Sequence, residues 1–355
     1  LGAFFVCMTQ IPARHTIPSG LVTLADHEQH ARTQLDDNAW AYFSGGAADE
    51  ISLRANRTAW DALPLWPRVL RPLAGGHTRV PLLGRTLAHP ILLAPVAFQR
   101  LAHPDGELAM AYAAAALGAG VVLSTQASVS LESVAQAVLP DPGRGPLWFQ
   151  LYLQPDRGFT QALVQRAEAA GYEALVLTVD APCHGARDRE RRAGFRLPPG
   201  ISAVNLAGLP PRPEPQLGPG QSALFDALLG GAPTWDDIAW LQANTRLPVL
   251  LKGILHPDDA REAARLQVGG VIVSNHGGRT LDTALPTAAA LPAIADAVGG
   301  SLPLLVDGGI RRGTDVLKAL ALGASAVLVG RPYIFGLANA EIGRASCRER
   351  VSSPV

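Results

Sequence analysis

Apolar and polar positions follow a repeating pattern over most of this chain. From residue 91 onward, short and wholly apolar runs alternate with longer stretches that are rich in alanine and leucine. A short continuous apolar run is typical of a parallel strand buried on both faces, and the longer stretches carry helical spacing. The eight predicted strands are residues 91–94, 121–124, 147–152, 174–179, 249–252, 270–274, 302–306 and 326–329.

Predicted helices lie in the intervals between these strands. The clearest are residues 106–117, 159–170, 258–266 and 314–322. Eight strand–helix units that close on themselves predict an α/β fold of the (β/α)8 TIM barrel type. A doubly wound parallel sheet is the alternative, although it usually has fewer strands.

The segments outside this rhythm predict the domain organisation. Residues 8–86 form an N-terminal helical segment with a glycine-rich turn at 42–50 and an irregular connection at 61–86, ahead of a barrel at 87–340. About 70 residues, 181–248, follow the fourth strand, and their Pro/Gly-rich centre spans 210–220. A long loop on this face of a barrel is typical of a lid, and a surface insertion without a role is the alternative.

The composition excludes several classes of function. The chain has 355 residues, a formal net charge of zero and 48% hydrophobic residues. These values argue against disorder and against a nucleic-acid partner, and no apolar stretch is long enough to span a bilayer. Only Cys7, Cys183 and Cys347 are present, without a CxxC pair, which predicts a reducing, cytoplasmic setting and no metal site.

The two ends of the chain have unusual features. The first methionine is Met8, so residues 1–7 could be translated upstream DNA. The string EIGRASCRERV at 341–351 is also one reading frame of a common DNA-sequencing adapter. We therefore predict that residues 341–355 are not native and that the last barrel helix is missing, which would leave the last strand uncovered. A genuine basic tail is the alternative.

Candidate chemistry lies where the predicted strands end, since the C-terminal ends of barrel strands carry the active site. Gly309 and Gly330 follow the last two strands, beside Arg311 and Arg331, and this pattern predicts a phosphate site. A tight turn at residues 308–309 is the alternative. Six further polar residues follow strands three to six, namely Tyr152, Asp180, Arg187, Lys252, His276 and Arg279.

The types of these six residues indicate acid–base chemistry on a carboxylate. Two arginines can hold a carboxylate by paired hydrogen bonds, and a histidine with a carboxylate partner can act as a general base. Asp180 as a helix cap and Lys252 as a surface charge are the alternatives. A lysine that closes an apolar strand is rarely a surface charge.

Five segments in register extend this interpretation to a known family. SNHGGRTLD (274–282), DGGIRRGTDVLKALALGA (307–324), LTVDAPCHGAR (177–187), FQLY (149–152) and YFSGGAADE (42–50) resemble the FMN-dependent 2-hydroxy-acid oxidases and dehydrogenases. The resemblance runs from about residue 35 to residue 340. It implies an FMN enzyme that oxidises a small L-2-hydroxy acid to the 2-oxo acid, in a homo-oligomer that is a tetramer in this family.

The resemblance also implies a role for individual residues. His276 is similar to the family's base and Asp180 to its orienting carboxylate, while Arg187 and Arg279 resemble the pair that holds the substrate carboxylate. Tyr42 and Tyr152 resemble the tyrosines that contact substrate, and Lys252 resembles the lysine beside flavin N1 and O2. The flavin and ribityl contacts implied are Ala97, Ser124, Gln150, Thr178 and Ser274, and the ribityl and phosphate contacts are Asp307, Gly309, Arg311, Gly330 and Arg331.

Two departures limit what the resemblance implies: one residue of the substrate pocket differs, and the sequence ends before the family's final barrel helix and C-terminal segment. Gln126 stands where glycolate oxidase has a tryptophan, so a substrate preference does not transfer. The electron acceptor stays open among oxygen, a quinone and a cytochrome. Another flavin barrel such as type 2 isopentenyl diphosphate isomerase, or a flavin-binding fragment without turnover, is the alternative function, and the arginine pair and the intact His276 argue against each.

Overall fold

Eight parallel strands form a closed barrel in the computed structural model, which describes residues 17–210, 222 and 232–339. The strands in chain order are β1 (Val80–Leu82), β2 (Arg85–Leu87), β3 (Ile91–Leu93), β4 (Gly120–Leu123), β5 (Leu147–Leu151), β6 (Ala174–Thr178), β7 (Val249–Ile254), β8 (Gly270–Val273), β9 (Leu304–Val306) and β10 (Ala326–Val329). Strands β3 to β10 pair in sequence, and β10 closes onto β3. Each predicted strand overlaps one of these eight, so the barrel is confirmed and the open sheet is excluded.

The barrel interior is filled by large apolar side chains. Leu92, Trp148, Leu250 and Leu328 are each at most 1% exposed and belong to one inner cluster. Such a packed interior is typical of this fold, in which the strand ends are left to carry the chemistry.

A short antiparallel hairpin packs against this inner cluster. Strands β1 and β2 pair, and Leu82 and Leu87 join the inner cluster just before β3 begins. The prediction of an irregular connection at 61–86 is wrong for this part. The turn residues Leu83 and Gly84 both have positive φ, 46° and 76°, and leucine is not a residue that signals such a turn.

Twelve helices are present in the described part of the chain. They are α1 (Leu24–Gln34), α2 (Asp37–Ser44), α3 (Ile51–Asp61), α4 (Glu107–Ala116), α5 (Leu131–Val138), α6 (Arg157–Ala169), α7 (Asp188–Arg192), α8 (Trp235–Ala243), α9 (Pro257–Arg265), α10 (Thr287–Val298), α11 (Gly313–Ala321) and α12 (Arg331–Asn339). The turn predicted at 42–50 is corrected at its start. Residues 42–44 complete α2, which Asp36 caps, and the turn follows.

The connection after the fourth barrel strand is partly structured. It contains α7, a 3-10 turn at Val204–Leu206 and the barrel helix α8, so the prediction of one long loop is corrected. The predicted Pro/Gly-rich centre lies, from residue 211 onward, outside the described residues.

A helix follows the last barrel strand. Helix α12 packs against α1, and Asn339 Nδ2 donates to the carbonyl oxygen of His27 at 2.7 Å. Val327, which lies outside the inner cluster, is 0% exposed, so the expectation of an uncovered last strand is wrong. The predicted adapter tail and residues 1–7 lie outside the described residues. Within those residues, no helix has the length and apolar character needed to cross a bilayer.

Candidate active site

One cavity of about 970 Å³ lies at the C-terminal ends of the barrel strands. Fifteen of the predicted site residues line it, namely Tyr42, Ala97, Ser124, Gln150, Tyr152, Thr178, Arg187, Lys252, His276, Arg279, Asp307, Gly309, Arg311, Gly330 and Arg331. The other two, Asp180 and Ser274, are bonded to lining residues, His276 and Lys252 respectively. The fold thus brings the whole predicted set to one place.

His276 and Asp180 form a hydrogen-bonded pair. His276 Nδ1 lies 2.8 Å from Asp180 Oδ1. Burial alone would raise the pKa of Asp180, but the charge and hydrogen bond of His276, and then Lys252, bring it below its ordinary value. An ionised carboxylate can only accept, so Nδ1 carries the proton, and Nε2 is the nitrogen that accepts a proton when the ring is in its neutral form.

The loop that carries His276 has a left-handed backbone. His276, Gly277 and Gly278 have φ values of 58°, 63° and 71°. Non-glycine residues seldom adopt this conformation, and it persists only where neighbouring groups hold it. Asn275 does so, because its Oδ1 accepts from the N–H of Gly278 at 3.1 Å and from Asn56 Nδ2 at 2.8 Å.

Gly253 leaves room for the Asp180 side chain. It has φ +114° and sits at an irregularity in the pairing of β7 with β8. A Cβ atom here would lie 2.4 Å from Asp180 Cβ and 2.5 Å from Asp180 Cγ, where only glycine fits. Gly253 therefore determines where the carboxylate partner of His276 stands.

We expect Gly253→Ala to weaken the His276–Asp180 pair. The added methyl group must push Asp180 away, so the flavin reduction that the resemblance implies should slow by roughly tenfold, a part of the about 10²–10⁴-fold that a general base contributes. The matched control is Gly299→Ala, which also has positive φ but open space around its Cβ position. Stopped-flow reduction rates and thermal midpoints of both variants test this. Equal rates in the two variants would show that Gly253 does not position Asp180.

Lys252 lies buried at the end of β7 between two partners. Its Nζ donates to Ser274 Oγ at 2.9 Å and lies 3.2 Å from Asp307 Oδ2. Burial acts to lower the pKa of Lys252, but Asp307 and Asp180 raise it above its usual value. The ammonium therefore stays charged inside the cavity, where it can stabilise a negative charge that develops on a bound group.

The two predicted carboxylate-binding arginines share one acidic partner. Glu190 Oε1 accepts from Arg187 Nη1 at 3.3 Å and from Arg279 Nη2 at 3.1 Å. Arg279 Nη1 also donates to the carbonyl oxygens of Tyr42 and Gly45, both at 2.7 Å. Burial, and then repulsion from Arg187, lowers the pKa of Arg279. An anion bound beside both arginines would offset that cost.

Aromatic rings border the arginine pair. Tyr42 stacks on Phe195, with ring centroids 4.9 Å apart, and Arg279 lies 5.2 Å over the Tyr42 ring. Burial raises the pKa of Tyr42 and of Tyr152, so both hydroxyls stay protonated and can donate. Gln126, the departure from glycolate oxidase, also lines the cavity.

Helix α3 supports the predicted phosphate loop after β9. Trp60 Nε1 donates to the Gly308 oxygen at 2.8 Å, and Arg57 Nη1 donates to the Gly309 oxygen at 2.6 Å. A Cβ on Gly309 would lie 2.3 Å from the Asn56 oxygen, so this glycine is needed for packing as well as for the turn. The structure is therefore compatible with both interpretations of Gly308 and Gly309, a phosphate site and a tight turn.

The two arginines predicted to bind phosphate differ in their present partners. Arg331 donates to the carbonyl oxygens of Phe43, Gly45 and Gly277, at 2.7–3.0 Å. Arg311 Nη1 donates to the Ile310 oxygen at 3.2 Å. Burial lowers the pKa of both groups, and Arg279 and Arg311 add repulsion at Arg331. A bound dianion would therefore stabilise this end of the cavity.

A hydrogen-bonded row of polar side chains crosses the other side of the cavity. Gln150 Nε2 donates to Thr178 Oγ1 at 3.0 Å, and Gln150 Oε1 accepts from the Thr125 N–H at 3.1 Å and from Ser124 Oγ at 3.3 Å. These bonds order the side chains at the ends of β4, β5 and β6.

Unpartnered polar atoms gather around this cavity. Asp180 Oδ2, Arg187 Nε and Asp307 Oδ1 are buried and lack a hydrogen-bond partner. Buried polar groups normally have partners, so three such atoms beside one cavity indicate a polar ligand. The volume of the cavity is at the upper end of the range for cofactor sites. Its arginine-lined end suits a phosphate group, and its charged lysine and row of polar side chains suit the flavin and ribityl parts of FMN.

A family model matches most of this chain. The model described as FMN-dependent dehydrogenase matches residues 31–347. An L-lactate oxidase of Roseobacter sp. (strain GAI101) is 51% identical over 321 residues, which cover 90% of this chain and 85% of the relative. A 4-hydroxymandelate oxidase of Amycolatopsis orientalis is 48% identical, with coverage of 90% and 88%. 2-Hydroxyacid oxidase 1 of Homo sapiens is 44% identical, with coverage of 90% and 86%.

Solved structures give a similar result. A crystal structure of mandelate oxidase with benzoyl-formic acid superposes with a TM-score of 0.79 at 46% identity, covering 90% of this chain and 87% of that chain. Mandelate oxidase with (S)-2-phenylpropionate gives the same values.

Proposed function

The chain belongs to the FMN-dependent dehydrogenase family, and on that premise we propose that it is an oxidase of small L-2-hydroxy acids. The observation that carries the proposal is the pairing of His276 with Asp180 beside two buried arginines, in the cavity that fits a flavin. FMN-dependent oxidation of a 2-hydroxy acid to the 2-oxo acid is the reaction of this family, which argues against the isomerase and the inactive fragment.

Residues of this chain can hold FMN along the whole cavity. We propose that Ala97, Ser124, Gln150, Thr178 and Ser274 contact the isoalloxazine and ribityl parts, and that Asp307, Gly309, Gly330 and the two arginines after β9 and β10 hold the ribityl and phosphate. Lys252, a buried lining residue of the cavity, would be the charged donor for the pyrimidine side of the ring. When bound, FMN supplies the acceptor for the two electrons that leave the substrate.

Arg187 and Arg279 orient the substrate by its carboxylate. Two guanidinium groups provide parallel donors that match two carboxylate oxygens, which a lysine cannot do. Tyr42 and Tyr152, both protonated, then donate to the remaining oxygen atoms of the acid. Holding the acid at these points places its C2 carbon beside His276.

His276 accepts a proton from the substrate at Nε2. Asp180 keeps the ring in the tautomer whose Nε2 is free, and its negative charge stabilises the imidazolium that forms. The other hydrogen is on the hydroxyl if His276 takes the C2 proton and on C2 if His276 takes the hydroxyl proton. It leaves as a proton in the first case and with the electron pair in the second, and in both cases the two electrons would pass to bound FMN.

The names of the relatives support a more specific proposal for the substrate and the electron acceptor. Several relatives between 41% and 51% identical are named as oxidases, of L-lactate, 4-hydroxymandelate or 2-hydroxy acids. We propose that oxygen is the acceptor here, so that each turnover yields one 2-oxo acid and one hydrogen peroxide. L-Lactate is the substrate that we expect to react best.

We expect the purified protein to be yellow with noncovalently bound FMN, and L-lactate to bleach it without oxygen. Admitting oxygen should restore the colour and release hydrogen peroxide in a 1:1 ratio to pyruvate. Anaerobic spectra with L-lactate, glycolate and (S)-mandelate, followed by a peroxide assay, measure this.

D-Lactate is the matched control because it differs from L-lactate only at C2. A protein that takes up no flavin would contradict the cofactor assignment, and bound flavin that no hydroxy acid bleaches would contradict the activity. Bleaching that oxygen does not reverse, but an artificial acceptor does, would replace the oxidase with a dehydrogenase.

A further inference from the structure

Glu190 stands between the two arginines that are proposed to bind the substrate carboxylate. It lies on α7, lines the cavity, and its Oε1 accepts from Arg187 at 3.3 Å and from Arg279 at 3.1 Å. All three side chains are largely buried, at 14–19% exposed. Glu190 therefore occupies one side of the arginine pair before any substrate arrives.

Several charged side chains near this point have partners other than the arginine pair. Arg189, next to Glu190, is paired with Glu50 at 2.5 Å. Lys252 is paired with Asp307, and Asp180 is hydrogen-bonded to His276 rather than to either arginine. Arg311 and Arg331 line the proposed phosphate end of the cavity, where a bound phosphate dianion would neutralise both positive charges.

The charges of Arg187, Arg279 and Glu190 together match one carboxylate. Arg187 and Arg279 carry two positive charges and Glu190 carries one negative charge, so the arginine pair has one positive charge left for a ligand. A substrate with one carboxylate neutralises it. A second negative charge on the substrate would face Glu190 in a buried site, where repulsion between like charges is strong.

We infer that Glu190 makes the site selective for 2-hydroxy acids with a single carboxylate and excludes dicarboxylates. The inference rests on the proposed function, because it assigns the substrate carboxylate to Arg187 and Arg279. It gives Glu190 a role beyond holding the arginines, because a neutral acceptor of the same shape could still accept from both but would leave the pair with two positive charges.

Glu190→Gln separates the charge from the hydrogen bonds. Glutamine keeps an oxygen that accepts from both arginines but removes the negative charge. The probes are oxalate and oxamate, which have nearly the same shape and differ by one charge. Titrating FMN-loaded protein with each, and following the flavin absorbance at neutral pH, gives the ratio of the two dissociation constants.

We expect Glu190→Gln to shift this ratio toward oxalate by about tenfold or more, which corresponds to about 1.4 kcal/mol. Glu190→Asp, which keeps the charge, is the matched control and should leave the ratio near that of the wild type. A ratio that stays within about twofold in Glu190→Gln would overturn the inference, as would an equal loss of affinity for both probes, which a purely structural role predicts.

The wild-type protein provides a second test if Glu190→Gln does not fold. L-Malate and its side-chain amide have the same length and differ by one charge. We expect kcat/KM for the amide to exceed that for L-malate by about tenfold or more, and equal values would overturn the inference. If no hydroxy acid reduces the flavin, the proposed function fails. The oxalate and oxamate titrations still test the charge selectivity of Glu190, because they measure binding and need no turnover.

Discussion

Replacing His276 with glutamine is expected to slow flavin reduction by L-lactate by about 10²–10⁴-fold, the range that a general base contributes. Glutamine can still donate to Asp180 Oδ1, but its amide cannot take up the substrate proton. The left-handed backbone at position 276 is held by Asn275 and Asn56, so FMN binding should persist. Anaerobic stopped-flow absorbance gives the rate, and flavin content after gel filtration gives the binding.

His77→Gln is the control for this substitution. His77 is exposed on the segment between α3 and the β1–β2 hairpin, away from the cavity lining. Its replacement should leave the reduction rate unchanged. A loss of less than about tenfold in His276→Gln would mean that another group accepts the proton.

Arg279→Lys is expected to lower kcat/KM for L-lactate by about 10²-fold while FMN stays bound. Lysine keeps the charge but loses the planar fork, and a hydrogen bond to a charged group contributes about 1.5–3 kcal/mol. The carbonyl oxygens of Tyr42 and Gly45 also lose the donor that now lies 2.7 Å from each. Steady-state kinetics over a range of lactate concentrations measures the effect.

Arg265→Lys is the matched control, since Arg265 lies on the surface of α9 and pairs with Glu262. It should leave kcat/KM as in the wild type. A variant Arg279→Lys with unchanged kinetics would contradict the carboxylate role, and one that loses FMN would show that Arg279 acts on the cofactor site instead.

The sequence predicted helices best where a local capping residue and a clear helical period occur together. Asp156 and Ser130 cap α6 and α5 by accepting backbone N–H groups, which is a local interaction. Helix α6 was among the predicted helices given by their bounds, whereas α5 was covered only by the general prediction of helices between strands, because its eight residues offer too few turns for a clear period. The predicted tetramer and the adapter-derived tail stay predictions, and so do the roles of the individual site residues.

Residues that act through distant partners escaped the sequence analysis. Glu190 lies in the run DRERR, which has the composition of a solvated helix face, and only the fold brings it to Arg279, 89 positions along the chain. Asn56 is an ordinary polar position of α3, and its bond to Asn275 spans 219 positions. No local pattern records such pairs.

The sequence by itself determined the barrel, because a strand buried on both faces must be continuously apolar and eight such runs recur with helices between them. It also determined which polar residues gather at one face, since parallel strands end together. The resemblance implied that His276 meets Asp180, and the structure gives the hydrogen bond. The tertiary structure alone decided that the carboxylate of Glu190 joins Arg187 to Arg279, because closure of the barrel brings the loop of Arg279 within hydrogen-bond distance of α7. Hydrogen bonds act over about 3 Å and depend on orientation, so a one-dimensional pattern cannot encode them.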